Sequence, residues 1–203
     1  MTIWAIVPVK PLRRGKSRLA GLLSEEQRTR LNRYLLIHTL TILNEISDIE
    51  HTLVVSRDPA ALALTRSMGG RTIQEDGAPQ FNTAIKRATI AAKAQGARAV
   101  LILPADLPLV EPADLKLLIS EGQISPVVVI APDRWQEGTN GLFINPAGLI
   151  GYSYGPGSFQ RHCQSATEAG AILRIVNNER IKLDLDLPED LELVGGLEGL
   201  RLE

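Results

Sequence analysis

The feature that most constrains this chain is a set of short, wholly apolar runs that recur between amphipathic stretches. They are Ile3-Trp4-Ala5-Ile6-Val7, Ala99-Val100-Leu101-Ile102-Leu103 and Val127-Val128-Val129-Ile130-Ala131. A strand that is apolar at every position has no solvent face. It belongs in a sheet covered by helices on both sides, the setting of parallel strands joined by helical crossovers. The intervening segments carry helix signals. Ser24-Glu25-Glu26-Gln27 is a capping box opening a helix to about Ile46, Pro59 to Met68 has Pro in its first turn and Gly69 just past its end, Phe81 to Gln95 stops at Gly96, and Glu111 to Glu121 carries Pro112 and ends at Gly122. With His51 to Arg57 and Arg71 to Gln74 as further strands, the expected fold class is α/β. It is a single doubly wound domain over residues 1–203, with a mostly parallel sheet and helices on both faces.

After Ala131 the alternation breaks. A polar turn from Asp133 to Asn140, a strand from Gly141 to Ile144 and a Gly/Pro/Tyr-rich loop from Gly148 to Gly157 precede a helix from Ser158 to Glu168. Ala171 to Val176 and Ile181 to Asp186 read as strands, and a short helix begins at Pro188. The break is where a binding loop is expected.

Several function classes fall away on composition. At 203 residues the chain can bury a full core, and no stretch approaches the roughly 20 apolar residues of a membrane span. A net charge of −1 argues against a general binder of nucleic-acid phosphates. Cys163 is the single cysteine and cannot form an internal disulfide. The first residues read directly as a strand with no signal peptide, so a cytoplasmic home, without membrane or nucleic-acid partners, is expected.

The loop after the first strand holds Lys10, Arg13, Arg14, Lys16 and Arg18 within nine residues. It is not a Walker A loop, because Lys10 stands where the first Gly is required, and no Gly-x-Gly-x-x-Gly follows the strand. A cluster of cations at the carboxyl end of a strand, where α/β sheets bind ligands, suits a triphosphate; the alternative is a solvated basic turn. Asp106 stands at the end of the most apolar strand, and Pro108 stops that strand from continuing. Asp184 and Asp186, two apart in an extended segment, point to one face while Leu183, Leu185 and Leu187 point to the other. Three such carboxylates fit Mg²⁺, a hard cation typically held by one or two carboxylates together with substrate phosphates. The competing roles are a turn for Asp106 and a helix N-cap for Asp186.

Gly155-Pro156-Gly157-Ser158 leads into a helix and offers backbone N–H groups to a phosphate or carboxylate, or else makes an ordinary tight turn with Ser158 as N-cap. Thr139 and Asn140 orient a ligand or close a turn. His162 falls one helical turn after Ser158 with no partner to mark it as an acid or base.

These residues resemble one family, the guanylyltransferases of deazaflavin coenzyme F-420 biosynthesis, which activate 2-phospho-L-lactate or phosphoenolpyruvate with GTP. The resemblance covers nearly the full length. It rests on Val7-Pro8-Val9-Lys10 with Gly15-Lys16-Ser17-Arg18-Leu19, on Asn82-Thr83-Ala84, on Pro104-Ala105-Asp106-Leu107-Pro108, on Gly138-Thr139-Asn140, on Gly155-Pro156-Gly157-Ser158-Phe159 with His162, and on Asp184-Leu185-Asp186 with Pro188-Glu189-Asp190-Leu191. Gln80-Phe81 and Leu187 depart from the family's usual residues. The resemblance implies that Thr139, Gly155 and Ser158 contact the acceptor and that Asp106, Asp184 and Asp186 hold Mg²⁺. Lys10, Arg13, Lys16, Arg18 and Asn82 are expected to serve the nucleotide, Lys10 and Asp106 being the catalytic pair. A homodimer is one assembly compatible with it.

The reaction so implied joins GMP from GTP to phosphoenolpyruvate or 2-phospho-L-lactate with release of pyrophosphate. Its rivals are a sugar-phosphate or molybdopterin nucleotidyltransferase, a glycosyltransferase of the same nucleotide-diphospho-sugar transferase-like fold, and a non-catalytic GTP-binding regulator.

Overall fold

The computed structural model describes residues 1–76, 80–200 and 202. Its strands are β1 (Ile3–Val9), β2 (Ile49–Ser56), β3 (Arg71–Gln74), β4 (Ala99–Ile102), β5 (Val127–Pro132), β6 (Thr139–Asn145) and β7 (Ile172–Ile175). Its helices are α1 (Glu25–Asn44), α2 (Pro59–Ser67), α3 (Phe81–Ala94), α4 (Pro112–Glu121), α5 (Ser158–Glu168), α6 (Glu179–Lys182), α7 (Pro188–Leu193) and α8 (Gly196–Gly199), with a 3₁₀ turn at Ser17–Leu19. None of them is long and apolar enough to cross a membrane.

Local signals explain most boundaries. Ser24 accepts from the Gln27 amide while Gln27 reaches back to the Ser24 N–H, closing the capping box that starts α1. Asp58 caps α2 ahead of Pro59, and its other oxygen accepts from the Leu12 N–H at 2.8 Å, tying the basic loop to this helix.

The strands form one sheet in the order β3-β2-β1-β4-β6-β5-β7. β1 runs parallel to β2 and β4, β2 to β3, and β5 to β7, whereas β6 is antiparallel to both neighbours. The reversal of β6 has a simple cause. Residues 133–138 are too few for a crossover, so β5 returns on itself as a hairpin. The carboxyl ends of β1, β4 and β5 and the start of β6 therefore meet at one edge of the sheet. Between β1 and β4 the strand order changes direction, the kind of switch point at which open α/β sheets bind ligands.

Side-chain alternation along β1 separates two cores. Ile3, Ala5 and Val7 pack with Leu36 and Leu40 of α1, Leu62 of α2 and Leu115 of α4. Trp4 and Ile6 pack with Ile85, Ala88 and Ala92 of α3 and Ala166 of α5. A third cluster joins Leu19 and Leu23, after the basic loop, to Leu185 and Leu191 near the other end of the chain. Burial of apolar side chains at about 25 cal/mol per Å² is what holds this loop against that distant segment.

Two sequence expectations change. Residues 181–186 are not a strand: Ile181 lies in α6, which ends at Lys182, and the extended stretch that follows meets the sheet edge without a ladder, its Leu185 N–H donating to the Asp106 carbonyl at 2.9 Å. Period-2 alternation survives without a ladder because Leu183 and Leu185 are buried. Ser158 is not a cap either. Gly157, at φ 71°, takes the N-cap position of α5, and Ser158 is the first helical residue.

Candidate active site

A cleft of about 560 Å³ opens at the switch-point edge. Lys10, Lys16 and Arg18 from the β1 loop line it, with Asp106 after β4, Thr139 at the start of β6, Tyr154, Gly155 and Ser158 before and in α5, and Asp184 and Asp186 before α7. Arg13 is exposed and lies outside this lining.

Lys16 sits at the junction. Its backbone adopts φ 56° and ψ 37°, a left-handed conformation that costs a non-glycine residue about 1 kcal/mol or more. In return its ammonium lies 2.9 Å from Asp186 Oδ1 and 3.5 Å from Asp106 Oδ2, with the side chain only 6% exposed. Gly15 is required beside it, since a Cβ there would stand 2.6 Å from the Asn32 side-chain amide. Asn32 in turn donates to the Leu12 carbonyl at 2.7 Å, so α1 braces the basic loop through a residue that no sequence motif marked.

Charge distributes unevenly over the carboxylates. Burial alone would lower the Lys16 ammonium, yet the negative charges of Asp106 and Asp186 outweigh it and hold its pKa above the ordinary value. Asp186 is half-buried, which alone would raise its carboxyl, but Lys16, Lys10 and Arg18 keep it below the usual range. Asp184 has no such partner. Burial first, then the repulsion of Asp106, pushes it up to about 6, although Asn140 moderates this by donating to its Oδ1 at 3.3 Å. The Asn140 amide also donates to the carbonyls of Ile181 and Lys182 at 2.9 and 3.2 Å. Its task is to fix the Asp184 segment, a role the Gly-Thr-Asn motif did not disclose.

The far wall is a hydrogen-bonded set. Thr139 Oγ1 lies 3.0 Å from His162 Nδ1 and 3.4 Å from Ser158 Oγ. His162 Nε2 accepts from the Ser153 N–H at 3.0 Å, and the ring meets Tyr154 edge-on at 4.9 Å between centroids. Asn82 faces this loop rather than the cleft: its Oδ1 accepts from the Tyr154 N–H at 2.8 Å and its Nδ2 donates to the Tyr154 carbonyl at 3.2 Å. Both ends of its amide are thereby engaged, so the side chain reaches the ligand site through the loop it holds. The backbone carbonyl of Glu137 accepts from Phe159 N–H at 3.0 Å, linking α5 to the β5–β6 turn.

Among the described residues, no group of three His, Cys, Asp or Glu side chains is gathered closely enough to hold a metal unaided. Mg²⁺ does not require one, because it keeps several waters and shares its shell with substrate phosphates. Burial raises the Asp184 carboxyl and the Asp106 charge adds to this, while Lys16 is paired with Asp106 and Asp186 and leaves Asp184 without a cation beside it. Oxygen donors with a charge deficit of this sign fit a hard divalent cation.

A switch-point cleft with cations on one strand loop and carboxylates on two other segments fits the chemistry of a nucleotidyltransferase. Solved structures share the fold: a putative nucleotide-diphospho-sugar transferase from Desulfovibrio desulfuricans G20 has a TM-score of 0.77 at 14% identity, covering 96% of this chain and 87% of that one. A CMP:2-keto-3-deoxy-manno-octonic acid synthetase complexed with CTP has a TM-score of 0.66 at 14% identity, covering 99% and 100%. The chain belongs to the guanylyl transferase CofC-like family, whose model matches residues 3–196. Among its relatives, a phosphoenolpyruvate guanylyltransferase from Rubrobacter xylanophilus is 39% identical over 98% of this chain and 97% of its own length. One from Conexibacter woesei is 35% identical over 95% and 86%.

Proposed function

We propose that this chain transfers GMP from GTP to the phosphate of phosphoenolpyruvate, releasing pyrophosphate, as a step in coenzyme F-420 biosynthesis. The observation that carries the reading is the composition of the cleft. Its cations and carboxylates suit a metal-bound triphosphate, and its Thr139, Ser158 and Gly155 wall suits a small anion. The names carried by relatives that match almost the whole chain favour phosphoenolpyruvate over 2-phospho-L-lactate as that anion.

An oxygen of the acceptor phosphate attacks the α-phosphorus of GTP. The bond from that phosphorus to the bridging oxygen breaks, and its electron pair leaves on pyrophosphate. The attacking oxygen is already anionic, so no general base is needed, and catalysis is positioning plus charge stabilisation. Lys10, Lys16 and Arg18 offset charge on the leaving pyrophosphate. Asp106, Asp184 and Asp186 are the residues that would hold Mg²⁺, whose charge when bound would offset that of the phosphate oxygens. Thr139 holds the acceptor through its hydroxyl, Ser158 supports Thr139 from the start of α5, and the Gly155 turn shapes the wall around them.

Pyrophosphate release measured over a grid of nucleoside triphosphates against phosphoenolpyruvate, 2-phospho-L-lactate and a sugar phosphate tests this directly. The expected maximum is GTP with phosphoenolpyruvate. Turnover confined to a sugar phosphate replaces the reading with a sugar nucleotidyltransferase, and GTP binding without turnover replaces it with a regulator.

A further inference from the structure

We infer that His162 is a positioning residue that sets the hydrogen-bond polarity of the acceptor wall, fixing Thr139 as a donor toward the bound anion. This rests on the proposed function only in taking the ligand at this wall to be anionic.

The geometry determines the direction of each bond. A backbone N–H can only donate, so the Ser153 amide at 3.0 Å makes Nε2 of His162 an acceptor. The proton of a neutral imidazole must then sit on Nδ1, which faces Thr139 Oγ1 at 3.0 Å and donates to it. Ser158 Oγ donates to the same oxygen at 3.4 Å. A hydroxyl has two acceptor sites and one proton. With both acceptor sites of Thr139 used by the protein, its own O–H is left to donate, and Thr139 lines the cleft. A phosphate or carboxylate oxygen needs a donor at that point, whereas an unconstrained hydroxyl would divide its time between rotamers.

The surroundings keep this arrangement in place. His162 is fully buried, and burial with the nearby Arg161 charge lowers its pKa to about 4, so the ring stays neutral near pH 7. Protonation would turn Nε2 into a donor facing another donor. The same ring pins the loop at Ser153, next to the Tyr154 backbone that Asn82 clamps from α3.

Two measurements test the inference. In ¹⁵N-labelled wild-type protein the His162 ring should show the neutral Nδ1–H tautomer at pH 7; an Nε2–H tautomer or an imidazolium overturns the inference whatever the enzyme's substrate. The second is a double-mutant cycle of His162→Phe and Thr139→Val, read as acceptor KM, with His162→Asn as the conservative variant. Phe keeps a ring against Tyr154 and removes both polar contacts; Asn keeps a donor near Nδ1. His162→Phe should raise acceptor KM about tenfold, the worth of roughly one hydrogen bond, with GTP KM little changed, and His162→Asn should recover part of this. In the Thr139→Val background the His162→Phe penalty should largely vanish. Penalties that multiply independently would show that His162 acts on structure alone. Absence of wild-type turnover with phosphoenolpyruvate overturns the functional reading instead, and leaves the tautomer measurement to decide this one.

Discussion

The ammonium of Lys16 lies 2.9 Å from Oδ1 of Asp186, across 170 residues of sequence. This contact closes the cleft by joining the loop after β1 to the segment before α7, and it explains why Lys16 accepts a left-handed backbone. It also joins the cations proposed for the triphosphate and the carboxylates proposed for the metal into one electrostatic unit. Lys16→Met is expected to weaken GTP binding by about 10- to 100-fold, the worth of a charged hydrogen bond. Stability should fall by only about 1 to 2 kcal/mol, because Asp106 and Asp186 are 30% and 36% exposed and water partly replaces the lost partner. Calorimetric titration of GTP checks the first claim, and an unchanged affinity would remove Lys16 from the triphosphate site.

Asp186 and Asp190 divide charge and capping between them. Asp190 Oδ2 accepts from the N–H groups of Asp186 and Leu187 at 2.9 and 2.6 Å, and its Oδ1 meets Arg134 at 2.6 Å. The cap of α7 is therefore Asp190 reaching back, and the Asp186 carboxylate is free to face the cleft. Asp186→Asn, like Asp106→Asn, should remove most activity with a melting temperature close to wild type. Asp190→Ala should lower stability by about 1 to 3 kcal/mol, since it strips a cap and leaves Arg134 without this buried partner. Turnover near wild type in a folded Asp106→Asn protein at saturating Mg²⁺ would make that carboxylate structural.

What the sequence disclosed and what it withheld follow from the range of the interactions. The buried strands, the α1 capping box and the Pro and Gly boundaries of α2 and α4 are set within a few residues, and they lie where local pattern puts them. The hairpin that reverses β6 was less visible, because Asp133 to Asn140 reads equally well as a turn or a ligand loop. The extended stretch at Asp184 reads as a strand because alternation is the same whether or not a ladder forms. Lys10, Lys16, Asp106 and Asp186 could each be nominated from strand ends. The meeting of Asp106 and Asp186 around the Lys16 ammonium depends on contacts across the whole chain, and so do the supporting roles of Asn32, Asn82 and Asn140. An amide that serves a distant backbone leaves no local signature.

His162 and Asp184 give opposing pH dependences, and the sign of each can be worked out. His162 has a folded pKa near 4 against an ordinary 6.5, so its contribution is intact above 6.5 and is lost as pH falls toward 4, where only the unfolded chain takes up the proton. Asp184, raised to about 6, binds its proton in the folded state first and favours folding as pH falls below that value. In the wild-type profile between pH 6.5 and 4 these two terms enter with opposite sign. His162→Asn should isolate one of them: wild-type stability relative to this variant should fall across that window by up to roughly 3 kcal/mol. Chemical denaturation at pH 7.5 and pH 4.5 checks it. A constant gap between the two proteins would mean that His162 titrates normally.

Thr139→Val and Ser158→Ala should raise acceptor KM with GTP KM little changed, each by about 0.5 to 3 kcal/mol according to the charge on the group it meets. The structure predicts an order within this pair. Thr139 carries the proton aimed at the ligand, whereas Ser158 is 2% exposed and spends its own proton on Thr139. The Thr139 variant should therefore show the larger effect. Initial rates over a matrix of both substrates separate the two KM values, and equal losses for GTP would place these residues at the nucleotide instead.

Gly155 tests the wall through its backbone. Its φ of 121° lies where L side chains are rarely found, while the nearest atom to an added Cβ would be Arg161 Nη2 at an unobstructed 3.8 Å. Gly155→Ala would thus be opposed by conformation and not by crowding. The strain, about 1 to 3 kcal/mol, can be relieved only by rotating the peptide groups around residue 155. Those groups carry the carbonyl that accepts from Ser158 N–H at 3.0 Å and lie beside the Tyr154 backbone held by Asn82. Relaxation should misplace the start of α5, so acceptor KM is expected to rise at least as much as in Ser158→Ala, with GTP binding preserved. Gly151→Ala is the matched control, since a Cβ there meets nothing within 4 Å and its φ is not positive. If both glycine variants behave alike in melting and in KM, the turn at Gly155 is not shaping the acceptor wall. If only Gly155→Ala loses acceptor affinity while its Tm falls by a few degrees, the backbone conformation itself is part of the binding site.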